Sequence, residues 1–322
     1  MKKFLFCVIA MVICYVAADA QTVGVAVLSH NNENTMFYGN TALQQAVDAA
    51  TEGDVITLSP GTFDGLNQFS KSGLTIIGSG MDEGPSQTIL KDFMMRANNN
   101  EEKFIKITLK NLYIWYAGQY RNGNYELYFD KCRFDNGLDC HTDDDETKVI
   151  EITNSVVHSC NFTNCNLKAY NCVLGGVNLE GNGARERILT NCVILGTPGG
   201  IGSIHNSIII DRSVSALPNS VRATNCKAIV ANKGDYFRLQ AFTNEDFYKD
   251  FQAFVEGSFY ELLPELAGTW VDEHGSQIGI YGGPKPFSVL PDAPRFTKFD
   301  VPAKTDADGH LKVEIEVAMP EK

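Results

Sequence analysis

Past residue 20 the chain has no apolar run of the roughly 20 residues that a membrane-spanning helix needs, so no transmembrane segment is expected in the mature protein. Basic residues are also in deficit. In 322 residues, 27 Lys and Arg stand against 39 Asp and Glu, a formal net charge of −12, and no basic stripe relieves it. That balance argues against nucleic acid as a partner. It also disfavours tight binding of a polyanion such as pectate unless calcium bridges the two acidic surfaces. Histidine is scarce, and His141, His158 and His205 fall on different positions of the repeat described below, so no histidine metal triad is legible. The sequence contains no Gly-His-Gly, and Arg187-Ile188 is followed by leucine.

The one long apolar run opens the chain. Lys2 and Lys3 precede an almost wholly apolar stretch from Phe4 to Ala17, and Ala18-Asp19-Ala20 fits a small-x-small cleavage site. Residues 1–20 therefore read as a signal peptide. A lipoprotein would need a small residue before its modified cysteine, whereas Cys14 follows Ile13. The mature protein is expected in the periplasm, on the cell surface or secreted. Nine cysteines look like a disulfide framework, but Cys7 and Cys14 leave with the leader, and seven is an odd number.

A repeat explains the cysteines better. Leu74, Phe93, Leu112, Cys132, Ser155, Cys172, Cys192, Ser207 and Cys226 recur at intervals averaging about 19 residues, the mark of a solenoid. Three places before these anchors stand Leu90, Leu109, Phe129, Ile152, Ala169, Leu189, Ile204 and Ala223. Two places after them stand Ile76, Met95, Ile114, Phe134, Val157, Leu174, Ile194, Ile209 and Ala228. Both columns are apolar, and the residues between are mostly polar, so each repeat contributes short strands with one inward face. The column just before the anchor reads Asp92, Asn111, Lys131, Asn154, Asn171, Asn191, Asn206 and Asn225. Asparagine tolerates left-handed backbone angles, which suits a one-residue bend between strands. Stacked coil on coil, such residues would form a ladder of amides bonded along the axis, with the cysteines beside it as small buried hydrophobes. Leucine-rich repeats share the period, but they need several leucines at fixed spacing, and this chain has valine, isoleucine and cysteine instead.

The asparagine column resembles that of pectate-lyase-like proteins, and the resemblance implies an all-β, right-handed parallel β-helix. About nine coils of ~19 residues are expected by the repeat, over residues 41–233. The run from Thr41 through Gly61-Thr62-Phe63 to Leu74-Thr75-Ile76-Ile77-Gly78 is similar to the opening of many exported bacterial β-helix proteins, after an N-terminal segment at 21–40. Thr41-Ala42-Leu43-Gln44 fits a capping box, and Leu43, Ala46, Val47 and Ala50 make one apolar face, so a capping helix is predicted over 41–52. Solenoid ends need such caps. At the far end, Phe247, Phe251, Phe254 and Val255 predict a helix near 243–262 within a capping segment at 234–283. Residues 284–322 read as a Pro-rich connector and a hairpin around Asp308-Gly309.

Three groups of residues carry candidate chemistry. Asp139, Asp143, Asp144, Asp145 and Glu146 form an oxygen-only cluster of the kind that suits calcium, although a solvated acidic loop has the same composition. A lyase would also need a basic residue of lowered pKa, and the candidates are Lys168, Arg222, Arg185 and Arg187. Lys168 has Glu151 as its column neighbour, which raises rather than lowers its pKa. The third group is aromatic. Tyr113, Trp115, Tyr116, Tyr120 and Tyr125 fall on outward positions or the loop of one coil, and Trp and Tyr faces stack on sugar rings. In the stacked columns Tyr113 is followed by Arg133, and Trp115 by Asp135 and His158, which adds polar groups for hydroxyls. These features lead to the expectation of a non-catalytic, carbohydrate-associated exported protein with a polysaccharide partner. The competing expectation is a polysaccharide lyase or glycoside hydrolase with an atypical site for an acidic polysaccharide.

Overall fold

The computed structural model describes residues 24–67, 71–95, 104–119, 124–141, 148–181, 185–200, 202–211, 221–230, 247–248, 253–291, 295–300, 308–310 and 313–318. The proposed leader, Tyr120 and the acidic run 143–146 lie outside these residues. The described residues are mostly β, 54% in strands and 6% in helices, and wind into a solenoid of about seven turns held by parallel bridges. Among the described residues the strands stack in three sheets. The first contains Val55–Leu58, Leu74–Gly80, Lys148–Thr153, Asn166–Tyr170, Arg187–Thr190, Gly202–His205 and Val221–Thr224. The second contains Val156–Val157, Val173–Gly175, Val193–Leu195, Ile208–Asp211 and Lys227–Val230. Leu138–His141, Cys160–Thr163 and Val177–Leu179 belong to the third. Ile105–Gln119 is long enough to run through all three.

From Leu109 onward the expected inward column is the observed one. Leu109, Phe129, Ile152, Ala169, Leu189, Ile204 and Ala223 pair strand to strand in the first sheet. The bend column is equally regular, with φ between 48° and 55° at Asn111, Lys131, Asn154, Asn171, Asn191, Asn206 and Asn225. The two earliest anchors are out of register, and this accounts for seven turns where nine were expected. Leu74 pairs with Ile107, and Phe93 with Leu66 and Ala117. Ile76 therefore belongs with Leu109, while Leu90 pairs with Ile114 and Asp92 with Tyr116, away from the bend. One coil between Ile76 and Leu109 is much longer than 19 residues, and two accidental intervals of 19 concealed it.

At the N-terminal end Val25–His30 and Glu33–Tyr38 form a hairpin, and Val25–His30 also pairs antiparallel with Val55–Leu58. Helix α1, Ala42–Ala49, buries Ala42, Leu43, Ala46 and Val47 against this end. The capping box is absent, because Thr41 makes no side-chain cap hydrogen bond. Gln45 Nε2 instead donates to Thr41 Oγ1 at 2.9 Å, and Gln44 Nε2 donates to Asp48.

The C-terminal region departs from the helix predicted near 243–262. Among its described residues, Phe247–Tyr248 is a strand added to the second sheet and Phe254 bridges antiparallel to Leu262. The nearby helix, α2, is the single turn Pro264–Ala267. From Val271 to Pro291 the chain forms a strap that runs back along the bend column. Asn225 Nδ2 donates to Val271 O at 3.2 Å, and Gly279 N to Asn206 O at 2.8 Å. Asn171 Nδ2 donates to both Ile280 O and Gly282 O, Ser288 N donates to Asn154 Oδ1, and Lys131 Nζ donates to Leu290 O. The ladder is therefore only partly amide to amide, as where Asn225 Nδ2 donates to Asn206 Oδ1 at 2.8 Å. Elsewhere its side chains bond to the strap's backbone. The strap also covers an apolar column on the outside of the second sheet: Val156, Val173, Val193 and Ile208 are buried beneath Trp270, Ile278, Ile280 and Phe287. Beyond it, Arg295–Asp300 and Glu314–Ala318 form an antiparallel pair.

Candidate functional site

Tyr113, Arg133 and Val156 stand side by side on successive strands of the second sheet. Two residues further along each chain, at the corner leading to the third sheet, come Trp115, Asp135 and His158. Here the apolar outward column of Val156, Val173, Val193 and Ile208 gives way to Arg133 and Tyr113. Tyr113 and Trp115 share the outward face because Ile114 between them is fully buried. Trp115 is 51% exposed, so its ring is a surface feature and not a core anchor.

Asp135 is the hub of the corner. Tyr113 Oη donates to its Oδ2 at 2.7 Å, Arg133 Nε donates to Oδ1 at 2.9 Å, and His158 Nδ1 lies 3.2 Å from Oδ1. Burial pushes the Asp135 carboxyl up, but the bonds from Arg133 and Tyr113 outweigh it and hold the group below the usual carboxylate range. The same network acts on its members. Burial, and then the bond to Asp135, push the Tyr113 hydroxyl up to about 12. Asp135 in turn keeps the Arg133 guanidinium more firmly protonated, with Asp82 as a further negative neighbour. The result is a hydrogen-bonded polar patch next to an exposed indole. Asp82, from the loop after Leu74–Gly80, was not singled out in the sequence because nothing local links it to Arg133.

The remaining candidates separate. Tyr116 turns toward the third sheet, where its hydroxyl donates to Asp139 Oδ2 at 2.9 Å. Its ring lies so close to the backbone that a Cβ on Gly118 would stand 2.7 Å from the hydroxyl. Tyr125, read as outward, is 1% exposed and pairs in the first sheet with Ile105 and Lys148. The inward ring accompanies a buried ammonium, Lys148 Nζ, 5.3 Å from its centroid. Of the proposed calcium ligands, Asp139 is thus engaged by Tyr116, while Asp143, Asp144 and Asp145 fall outside the described residues. His141 meets Thr163 at 3.0 Å, on a different sheet from His158.

The basic candidates do not assemble into a lyase-like base. Lys168 pairs with Glu186 at 3.0 Å, and that bond raises its pKa, with Glu151 a smaller contributor than the sequence implied. Arg187, another candidate base, begins the strand Arg187–Thr190 and points inward at 2% exposure. Its Nη2 donates to Glu180 O at 3.0 Å, and burial lowers its pKa. An arginine in an inward column is opposite to what periodicity predicts, so the pattern itself offered no signal. No protein-family model matches the chain, and neither a curated protein nor a solved structure matches it.

Proposed function

We propose that this is an exported, non-catalytic β-helix protein of the pectate-lyase-like kind, which holds a glycan at the corner formed by Tyr113, Trp115, Arg133, Asp135 and His158. The observation that carries the reading is the half-exposed Trp115 beside a pre-bonded polar network. An indole face takes the C–H side of a sugar ring, and fixed polar groups next to it select hydroxyls at little ordering cost. The same geometry favours binding over catalysis. Asp135 is held ionised by three neighbours, which is poor for a proton donor, and Lys168 is shifted away from the range of a base. The apolar start at Phe4 to Ala17 and the Ala18-Asp19-Ala20 site support export.

The test is a glycan array followed by titration of any hit. Trp115→Ala should weaken binding by about 1–3 kcal/mol, the range of an aromatic anchor, with an unchanged melting temperature. Binding that survives in this variant sinks the assignment. Reducing-sugar and unsaturated-product assays across a polysaccharide panel should remain at background. Turnover there would replace this reading with that of a lyase or hydrolase.

A further inference from the structure

We infer that the protein has a second saccharide site, a cleft between the outer face of the first sheet and the strap, and that it takes a neutral oligosaccharide. The inference rests on the reading above that the protein binds glycans, but on none of the residues of the Trp115 corner. The cleft encloses about 610 Å³, within the range of small-ligand sites of about 300–1,000 Å³.

Its floor is built by register. Thr108, Tyr128 and Glu151 are paired neighbours on three successive strands, and Lys110, Asp130 and Thr153 form the parallel row two residues on. At ~4.8 Å per strand the floor extends about 10 Å along the axis, room for two or three rings laid parallel to it. The wall is the strap from Lys285 to Pro291. Pro286 and Pro291 restrict its backbone, while Lys131 and Asn154 pin it through Leu290 O and Ser288 N. A wall held in this way is preorganised for a ligand.

The chemistry of the floor selects the class. Asp130 is occupied, accepting from the Thr153 hydroxyl at 2.8 Å with Lys110 Nζ 3.8 Å away. Tyr128 is occupied too, since its hydroxyl donates to Glu126 and Lys106 Nζ lies 5.1 Å from its ring centroid. Glu151 is different. It is half-buried, lines the cleft, and among the described residues makes no hydrogen bond or ion pair. A partly buried carboxylate with no protein donor is open to donors from outside, and two adjacent hydroxyls on a sugar ring match both of its oxygens. The surrounding charges nearly cancel. Lys110, Lys131 and Lys285 face Asp130 and Glu151 across one lining, so neither a uronate nor a metal ion meets a field of one sign, and hydroxyls suit the mixture of donors and acceptors. Pro286, Leu290 and Pro291 supply the apolar surface for the ring's C–H edges.

The experiment is calorimetric titration of the mature protein with cello-, xylo-, manno- and malto-hexaose, with oligogalacturonate of equal length, and with calcium alone. At least one neutral hexaose should bind. Its affinity should fall tenfold or more in Glu151→Ala, recover partly in Glu151→Gln, and persist in Trp115→Ala. Glu151 points outward, so both Glu151 variants should keep the wild-type melting temperature. Neutral binding that is lost only in Trp115→Ala overturns the cleft and leaves the corner standing. Binding of oligogalacturonate or calcium in place of every neutral hexaose, when it depends on Glu151, overturns the ligand class. No binding by any saccharide removes both sites.

Discussion

A single backbone angle repeated seven times organises this protein, and the residues that supply it can be tested one at a time. Asn171 has φ 53° and is 3% exposed, and its amide satisfies two strap carbonyls at 2.8 and 2.7 Å. Asn171→Ala should cost about 1–3 kcal/mol for the orphaned carbonyls, plus ~1 kcal/mol because alanine lacks the short polar side chain that lets asparagine adopt the left-handed region. Asn171→Gly carries the first cost without the second, so chemical denaturation should place it between wild type and alanine. Equal midpoints for all three would show that the ladder does not hold the strap. Gly283 is the complementary position: its φ is +69°, and a Cβ there would stand 2.1 Å from Asn191 Nδ2. The seven cysteines are buried, and the structure joins none in a disulfide. Burial pushes the Cys132 thiol up to about 12 and raises Cys160 and Cys172 in the same direction. Alkylation at pH 8 should therefore label none in the folded protein and all seven after unfolding without reductant, read by mass spectrometry. Three surviving disulfides would contradict the stack. Below pH about 8.5 the Cys132 thiol is protonated in both states and its contribution to stability is complete. Between there and about 12 only the unfolded chain loses the proton, so stability falls as pH rises, and Cys132→Ala should flatten that decline.

At the scale of elements, the strap is the part whose role was hardest to read. Its sequence, Gly-Ser-Gln-Ile-Gly-Ile-Tyr-Gly-Gly, lacks the alternation of a strand and the period of a helix. Its partner column was visible, since Val156, Val173, Val193 and Ile208 are outward positions occupied by apolar residues. An outward stripe of β-branched residues on a solenoid implies a cover, and Ile278 and Ile280 provide it at 1% exposure each. Ile280→Ala should destabilise by about 2–5 kcal/mol, the cost of a core cavity, and urea denaturation reads it directly. A loss of a few tenths would mean that the strap lies loosely on the second sheet. The N-terminal hairpin was legible in hindsight from Asn31-Asn32, whose φ values of 49° and 66° suit a tight two-residue turn. Helix α1 was found from its apolar face, while its supposed capping box failed because matching residue types does not fix side-chain rotamers.

For the molecule as a whole, a solenoid has mainly nearest-neighbour contacts, so its stability should vary along the axis. Hydrogen exchange should be slowest in the central coils around Ile150–Ile194, which have neighbours on both sides, and faster in Val221–Thr224 at the far end of the first sheet. Uniform protection from end to end would indicate a single cooperative unit. The sequence by itself determined the parallel β-helix, the inward columns from Leu109 onward, the bend at the asparagines and the burial of the cysteines. It could do so because each repeat meets the same environment as its neighbours, and a shared environment writes the same residue type at the same interval. Tertiary structure alone decided what happens only once. Examples are the long coil before Leu109, the inward Arg187, the gathering of Tyr113, Arg133 and His158 around Asp135, and the strap that closes the cleft beside Glu151. These depend on contacts between residues up to 159 positions apart, as in the bond from Lys131 to Leu290 O. No local period records such a contact, because the two partners are brought together by the path of the chain.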